Sequence, residues 1–148
     1  MKALKRFWIL LVSAVLAVAC LAGCNVRYEG VYKLYSITQE VDGEEIVYNL
    51  DDVIPQASGE GLTLTKDCLT FDLKAPKDKK GVFTVSGVIY YGGKTASGVW
   101  EKSRNKKLKL TIETEDGKNE TEEWWLVKCD GKTMTYEWEG STLTLKKE

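Results

Sequence analysis

The feature that most constrains this chain is the alternation of apolar and polar residues that recurs along the sequence after residue 24. Leu108, Leu110 and Ile112 alternate with Lys107, Lys109, Thr111 and Glu113. Leu69, Phe71 and Leu73 alternate with Thr70 and Asp72, and Met134, Tyr136 and Trp138 with Thr133, Thr135 and Glu137. Leu62 and Leu64, like Leu143 and Leu145, are spaced by threonine, whose branched Cβ favours extended backbone. A period of two puts one face of a strand on a core and the other in water. No sustained helical periodicity competes with it in this part of the chain.

Turn chemistry punctuates the runs. Asp42-Gly43, Gly92-Gly93, Asp116-Gly117 and Asp130-Gly131 are hairpin dipeptides, and Lys66-Asp67 and Glu139-Gly140 separate adjacent runs. The predicted strands are 30–40, 61–66, 68–74, 81–91, 94–102, 106–114, 119–129, 132–138 and 141–147. Short strands joined by tight turns form an antiparallel meander, which must protect its edges. The fold class predicted is all-β, an up-and-down antiparallel barrel of about eight strands. Residues 44–60 break the pattern; a short helix or lid over a barrel mouth and an ordinary connecting loop both fit there.

The first 23 residues read as an address. Lys2, Lys5 and Arg6 precede an uncharged run from Phe7 to Cys24, the order of parts in a helical secretory signal. The closing Leu21-Ala22-Gly23-Cys24 resembles the lipobox of bacterial lipoproteins, which implies cleavage before Cys24 and a diacylglyceryl, palmitate-type anchor on its sulfur. Cys20 lacks the branched apolar residue three positions earlier. A plain transmembrane anchor is the other reading, since the uncharged run is near the lower length limit for a spanning helix. The organisation expected is thus a leader over 1–23, a lipidated tether over 24–29 and a barrel domain over 30–148. Its expected place is the cell membrane, lipid-anchored and facing outside the cytoplasm.

Removing residues 1–23 from 148 leaves 125, enough for one domain. The leader takes three of the 21 basic residues and none of the 22 acidic ones, so the remainder is mildly acidic. That balance argues against a nucleic-acid partner and gives no help in binding anionic headgroups. Cys68 and Cys129 are the cysteines left over beyond Cys24. Outside the cytoplasm they can pair, and closing that loop would stabilise the fold by roughly 4 kcal/mol. The sequence leaves both states open.

The region after Cys24 resembles the small bacterial lipocalin-like lipoproteins. The likeness rests on Gly30-Val31-Tyr32-Lys33-Leu34 opening the first strand, the Leu-Thr-Leu-Thr repeats at 62–65 and 142–145, and Gly81-Val82-Phe83 entering a strand. The closing Asp130-Gly131-Lys132-Thr133-Met134 hairpin and Leu143-Thr144-Leu145-Lys146-Lys147 complete it. Tyr32 stands where that family usually has tryptophan. The resemblance implies a ligand-binding barrel.

Catalytic signatures are scarce. The chain has no histidine, which removes the usual general base and the commonest metal ligand. Gly92-Gly93-Lys94-Thr95 ends like a phosphate-binding loop, but Val88 stands where that motif needs glycine. Glu122-Glu123 are strand neighbours pointing opposite ways, and Asp51-Asp52 lack a calcium-loop context. No enzyme activity, cofactor or metal is therefore expected. Aromatic residues are the positive signal: Phe71, Phe83, Tyr91, Trp100, Tyr136 and Trp138 fall on inward positions. They either line an apolar pocket or fill the core, because eight strands leave room for little more than side chains or one small ligand. Of Trp124-Trp125, alternation places one outside. Two functions stay in view: a membrane-tethered binding lipoprotein holding a small apolar ligand, or an envelope or cell-wall interaction module with a filled barrel.

Overall fold

A computed structural model describes residues 26–116 and 119–148. The leader, its cleavage point and Cys24 lie outside the described residues. The strands are β1 Gly30–Val41, β2 Glu44–Asn49, β3 Val53–Pro55, β4 Gly61–Thr63, β5 Thr70–Leu73, β6 Lys80–Ser86, β7 Ala96–Lys102, β8 Lys107–Asp116, β9 Asn119–Cys129, β10 Thr133–Trp138 and β11 Ser141–Lys147. β1 and β5 to β11 form a closed antiparallel barrel of eight strands, each pairing with its neighbour and β11 returning to β1. Closure satisfies the edges that a flat meander would leave bare.

β1 does more than any other strand. One edge carries β11, while the other pairs with β5 over Gly30–Lys33 and with β2 over Ser36–Val41. A bulge between Leu34 and Ser36 makes the bend possible. The extra residue shifts the alternation by one, so Leu34 and Ile37 both reach the core while Tyr35 stays on the wall, 44% exposed. The ammonium of Lys146 covers its ring at 3.5 Å.

Residues 44–60 are neither helix nor simple loop. β2 forms a hairpin with the outer half of β1, across an Asp42-Gly43 turn with both φ positive, and β3 pairs with β4 beside the barrel. Asp51 N–H bonds Leu64 O at 2.7 Å and Leu64 N–H bonds Asp52 O at 2.8 Å, anchoring the segment. Leu64 is thereby driven into the core. The run expected over 81–91 stops at Ser86. Gly87 adopts φ 125, and a Cβ there would strike the Cys68 carbonyl, so the chain leaves the wall at that point. Ile89 N–H then bonds Cys68 O at 3.0 Å.

In an up-and-down barrel alternate connections lie at the same end. The β5–β6, β7–β8 and β9–β10 connections share one end with residues 26–29, which close it. Tyr32 hydroxyl donates to Tyr28 O at 2.8 Å, Lys147 Nζ donates to Arg27 O at 2.9 Å, and Tyr28 packs edge-on against Trp100 at 6.4 Å. Trp100 Nε1 donates to Lys74 O at 2.9 Å. A Cβ on Gly81 would collide with the Trp100 indole, which explains the glycine beside it. Cys129 thiol donates to Tyr32 oxygen at 3.4 Å. Burial pushes the Tyr32 hydroxyl far above its usual range and the Cys129 thiol up as well.

Among the described residues the buried core begins at Tyr32. Cys68 and Cys129 are both buried and free. Cys68 thiol donates to Thr63 O at 3.4 Å and accepts from Thr65 N–H at 3.3 Å, whereas Cys129 is engaged with Tyr32. The pairing that the sequence left open is not made.

Candidate functional site

The opposite end of the barrel is open. Cross-strand register there stacks inward residues in rows. Tyr136, Leu143, Ile37 and Tyr48 stand opposite one another in turn, and Trp138, Ser141, Gln39 and Ile46 form the next row outward. Gln39 Nε2 donates to Ser141 Oγ at 3.0 Å across the rim row. Below them Met134, Leu145 and Leu34 are fully buried. The barrel is packed in its lower rows and hollow at its mouth.

The hollow has a volume of about 340 Å³ and is lined by Leu69, Phe71, Ile89, Tyr90, Gly92, Trp125, Tyr136, Trp138 and Leu143. That size lies at the small end for ligand sites. Trp125 is the hub. Its ring centroid is 6.2 Å from Phe71, 5.7 Å from Tyr90 and 5.4 Å from Tyr136, at interplanar angles of 82°, 71° and 37°. Phe71 in turn stacks on Phe83 at 6.5 Å, so Phe83 supports the floor from within the core. Trp138 stands at the rim, 49% exposed. Among the described residues none of those lining it is charged.

Of the six aromatics expected to line a pocket, the structure brings three together: Phe71, Tyr136 and Trp138. Phe83 and Trp100 belong to the filled core instead, Trp100 because it sits at the closed end, 2% exposed. Tyr91 lies in the single-turn 3₁₀ segment Tyr91–Gly93, and its side chain is outside those described; Tyr90 takes the lining position. The break at Gly87 shifts the alternation that pointed to Tyr91. Sequence reasoning also missed Leu69, Ile89, Gly92, Trp125 and Leu143. Trp125 was within reach, because it shares the parity of the buried Val127 and Cys129. The Trp124 side chain lies outside those described.

Among the described residues no group of three Cys, Asp or Glu is placed to hold a metal ion, and no helix is long and apolar enough to cross a membrane. Comparison with profiles of known protein families, with curated proteins and with solved structures finds no match. What the geometry can do is bury a small molecule among aromatic rings.

Proposed function

We propose that this chain is a membrane-tethered, non-enzymatic binding lipoprotein whose lipocalin-like barrel holds a small ligand in its mouth. One observation carries the reading: an unfilled cavity of about 340 Å³ bounded by five aromatic side chains at the open end of a closed barrel. A barrel kept only for stability gains nothing from such a hollow, since unfilled apolar space costs dispersion contacts. The lipobox-like Leu21-Ala22-Gly23-Cys24 supports the anchor. Cys24 stands two positions before the first described residue, a reach of at most roughly 7 Å, and residues 26–29 lie at the closed end. The mouth therefore faces away from the bilayer.

Native mass spectrometry of the domain purified from its own host, with Cys24 replaced by serine after residue 23, tests the ligand. A bound small molecule that leaves on Trp125→Ala supports the reading; a clean apo mass with no uptake of added apolar probes overturns it. Metabolic labelling with a fatty-acid analogue, lost in Cys24→Ala, tests the anchor. The second reading, an envelope interaction module, draws on the exposed rim apolars Val41, Ile46 and Trp138. It predicts a co-purifying protein in place of a small molecule.

A further inference from the structure

We infer that the occupant of the mouth is an organic cation with an apolar body, of the quaternary or protonated amine class. This rests on the mouth being a binding site and narrows what it takes. Aromatic rings carry negative potential on their faces and attract cations within about 6 Å. Phe71, Tyr90, Trp125, Tyr136 and Trp138 border the hollow, with Trp125 in ring contact with Phe71, Tyr90 and Tyr136. Among the described residues that line the hollow there is no lysine or arginine.

The mouth end of the barrel is rich in carboxylates. Glu40, Asp42, Glu44 and Glu45 on the β1–β2 hairpin, with Glu137 and Glu139 at the β10–β11 turn, are all exposed at this end. Lys94 is the basic residue of the β6–β7 connection. These carboxylates flank one side of the mouth, and a low-dielectric cleft bordered by an excess of one sign of charge focuses the field and concentrates counter-charged ligands. The same rim repels carboxylates, so a fatty acid is the wrong class of ligand. At interior packing density the space accepts roughly fifteen heavy atoms.

The test uses probes of matched shape: phenyltrimethylammonium, its uncharged carbon analogue tert-butylbenzene, and the anion benzenesulfonate. Tryptophan fluorescence of the exported domain (residues 24–148, Cys24→Ser) is titrated with each at low ionic strength. The cation is expected to bind at least tenfold more tightly than tert-butylbenzene, with benzenesulfonate weakest. Raising salt, or combining Glu44→Gln, Glu45→Gln, Glu137→Gln and Glu139→Gln, should shrink that ratio several-fold. Equal or tighter binding of tert-butylbenzene overturns the cation assignment while leaving the pocket standing. Binding of none of the three overturns the pocket itself.

At the closed end a different observation stands on its own. Lys74, Lys77, Lys79 and Lys80 around the β5–β6 connection, and Lys102, Arg104 and Lys106 around β7–β8, are all exposed there beside residues 26–29; Lys74 pairs with Asp72 at 2.9 Å and Lys80 with Glu101 at 3.9 Å, and Asp78 and Asp130 share this end, which leaves Lys77, Lys79, Lys102, Arg104 and Lys106 in excess over them. The net charge conceals this cluster, and the mild acidity read from the sequence is not the charge this end presents. The geometry points to an anionic lipid surface as its partner, docking the barrel base-down. In sedimentation with vesicles at low salt, the unacylated exported domain should bind phosphatidylglycerol and not phosphatidylcholine. Lys77→Glu, Lys79→Glu and Arg104→Glu together should abolish binding while leaving the phenyltrimethylammonium titration unchanged. No binding to either vesicle, or equal binding to both, overturns the assignment.

Discussion

Trp100→Phe is expected to destabilise the protein without touching ligand binding. The indole N–H donates to Lys74 O at 2.9 Å, a bond that phenylalanine cannot make. Losing it costs about 1 kcal/mol. The side chain is 2% exposed, so the missing ring leaves a void rather than a wet notch. Roughly 40 Å³ of void at about 24 cal/mol per Å³ costs about another 1 kcal/mol. The edge contact with Tyr28 weakens too, worth roughly 0.5–1 kcal/mol. The sum is about 2–3 kcal/mol, a fall in Tm of roughly 6–12 °C for a domain of this size. Urea unfolding followed by far-UV circular dichroism measures it. Trp138→Ala is the matched control: half-exposed at the rim, it should cost less than about 1 kcal/mol and weaken phenyltrimethylammonium binding several-fold. If Trp100→Phe left stability within 0.5 kcal/mol (about the scatter of neutral surface changes), or weakened the probe as Trp138→Ala does, the division into packed base and open mouth would be wrong.

Gly98→Ala should fold poorly, because its Cβ would meet the Thr111 carbonyl of the paired strand and Phe83 Cε1 at 2.9 Å; a loss of about 3 kcal/mol or more in urea unfolding is expected. The Asp130 carboxylate accepts from Lys132 N–H at 2.8 Å and Thr133 N–H at 2.7 Å, which holds its pKa below the usual value; Asp130→Ala should cost roughly 0.5–1 kcal/mol at pH 7. Because the folded pKa is the lower one, that contribution is present above about pH 4 and fades as pH falls through the folded value, so Asp130→Asn should flatten the acid limb of a Tm–pH curve. Tyr32 and Cys129 behave oppositely. Their folded pKa values exceed the ordinary 10.0 and 9.0, so stability is complete below pH 9 and declines above it as the unfolded chain ionises first; Tyr32→Phe should reduce the decline between pH 9 and 11.

The barrel was legible because most of its strands have one wet face and one dry one. β7 through β11 fall close to the expected runs, and at the β10–β11 turn the expected Glu139 and Gly140 both take positive φ, as a two-residue hairpin turn requires. β2 was invisible for the complementary reason. It stands beyond the rim with little burial on either face, so Glu44-Glu45-Ile46-Val47-Tyr48-Asn49 carries no clean alternation. The cavity was half legible. Phe71, Tyr136 and Trp138 follow from parity within unbroken strands, whereas Leu69, Ile89 and Tyr90 come from connections whose course depends on Gly87 and on the contact with Cys68. Alternation says which face a residue takes, but not how far along the barrel axis it sits. Trp100 and Trp138 have equal claims on an inward position, and only register separates the base from the mouth.

The same axis explains the charge. In a meander that runs up and down, successive connections visit opposite ends, so residues that alternate in sign along the sequence segregate in space. Acidic residues predominate around the connections at 42–43 and 139–140, and basic ones around those at 74–79 and 103–106, with Lys94 at the first end and Asp78 and Asp130 at the second as exceptions. A sequence with 21 basic and 22 acidic residues therefore reads as near neutral while, among the described residues, acidic side chains predominate at one end of the barrel and basic ones at the other. Net charge cancels that separation; strand order recovers it. The two ends also divide the physical tasks. The base is buried, hydrogen-bonded and basic where the chain enters, and the mouth is hollow, aromatic and acidic where a ligand arrives. Steering at such a rim acts on association rate and is screened by salt over about 10 Å at 0.1 M. Packing against the rings acts on dissociation and is insensitive to salt. The phenyltrimethylammonium association rate should accordingly fall with ionic strength while its dissociation rate stays nearly constant, and stopped-flow fluorescence separates the two. A salt dependence carried by dissociation instead would place the carboxylates in direct contact with the ligand rather than around it.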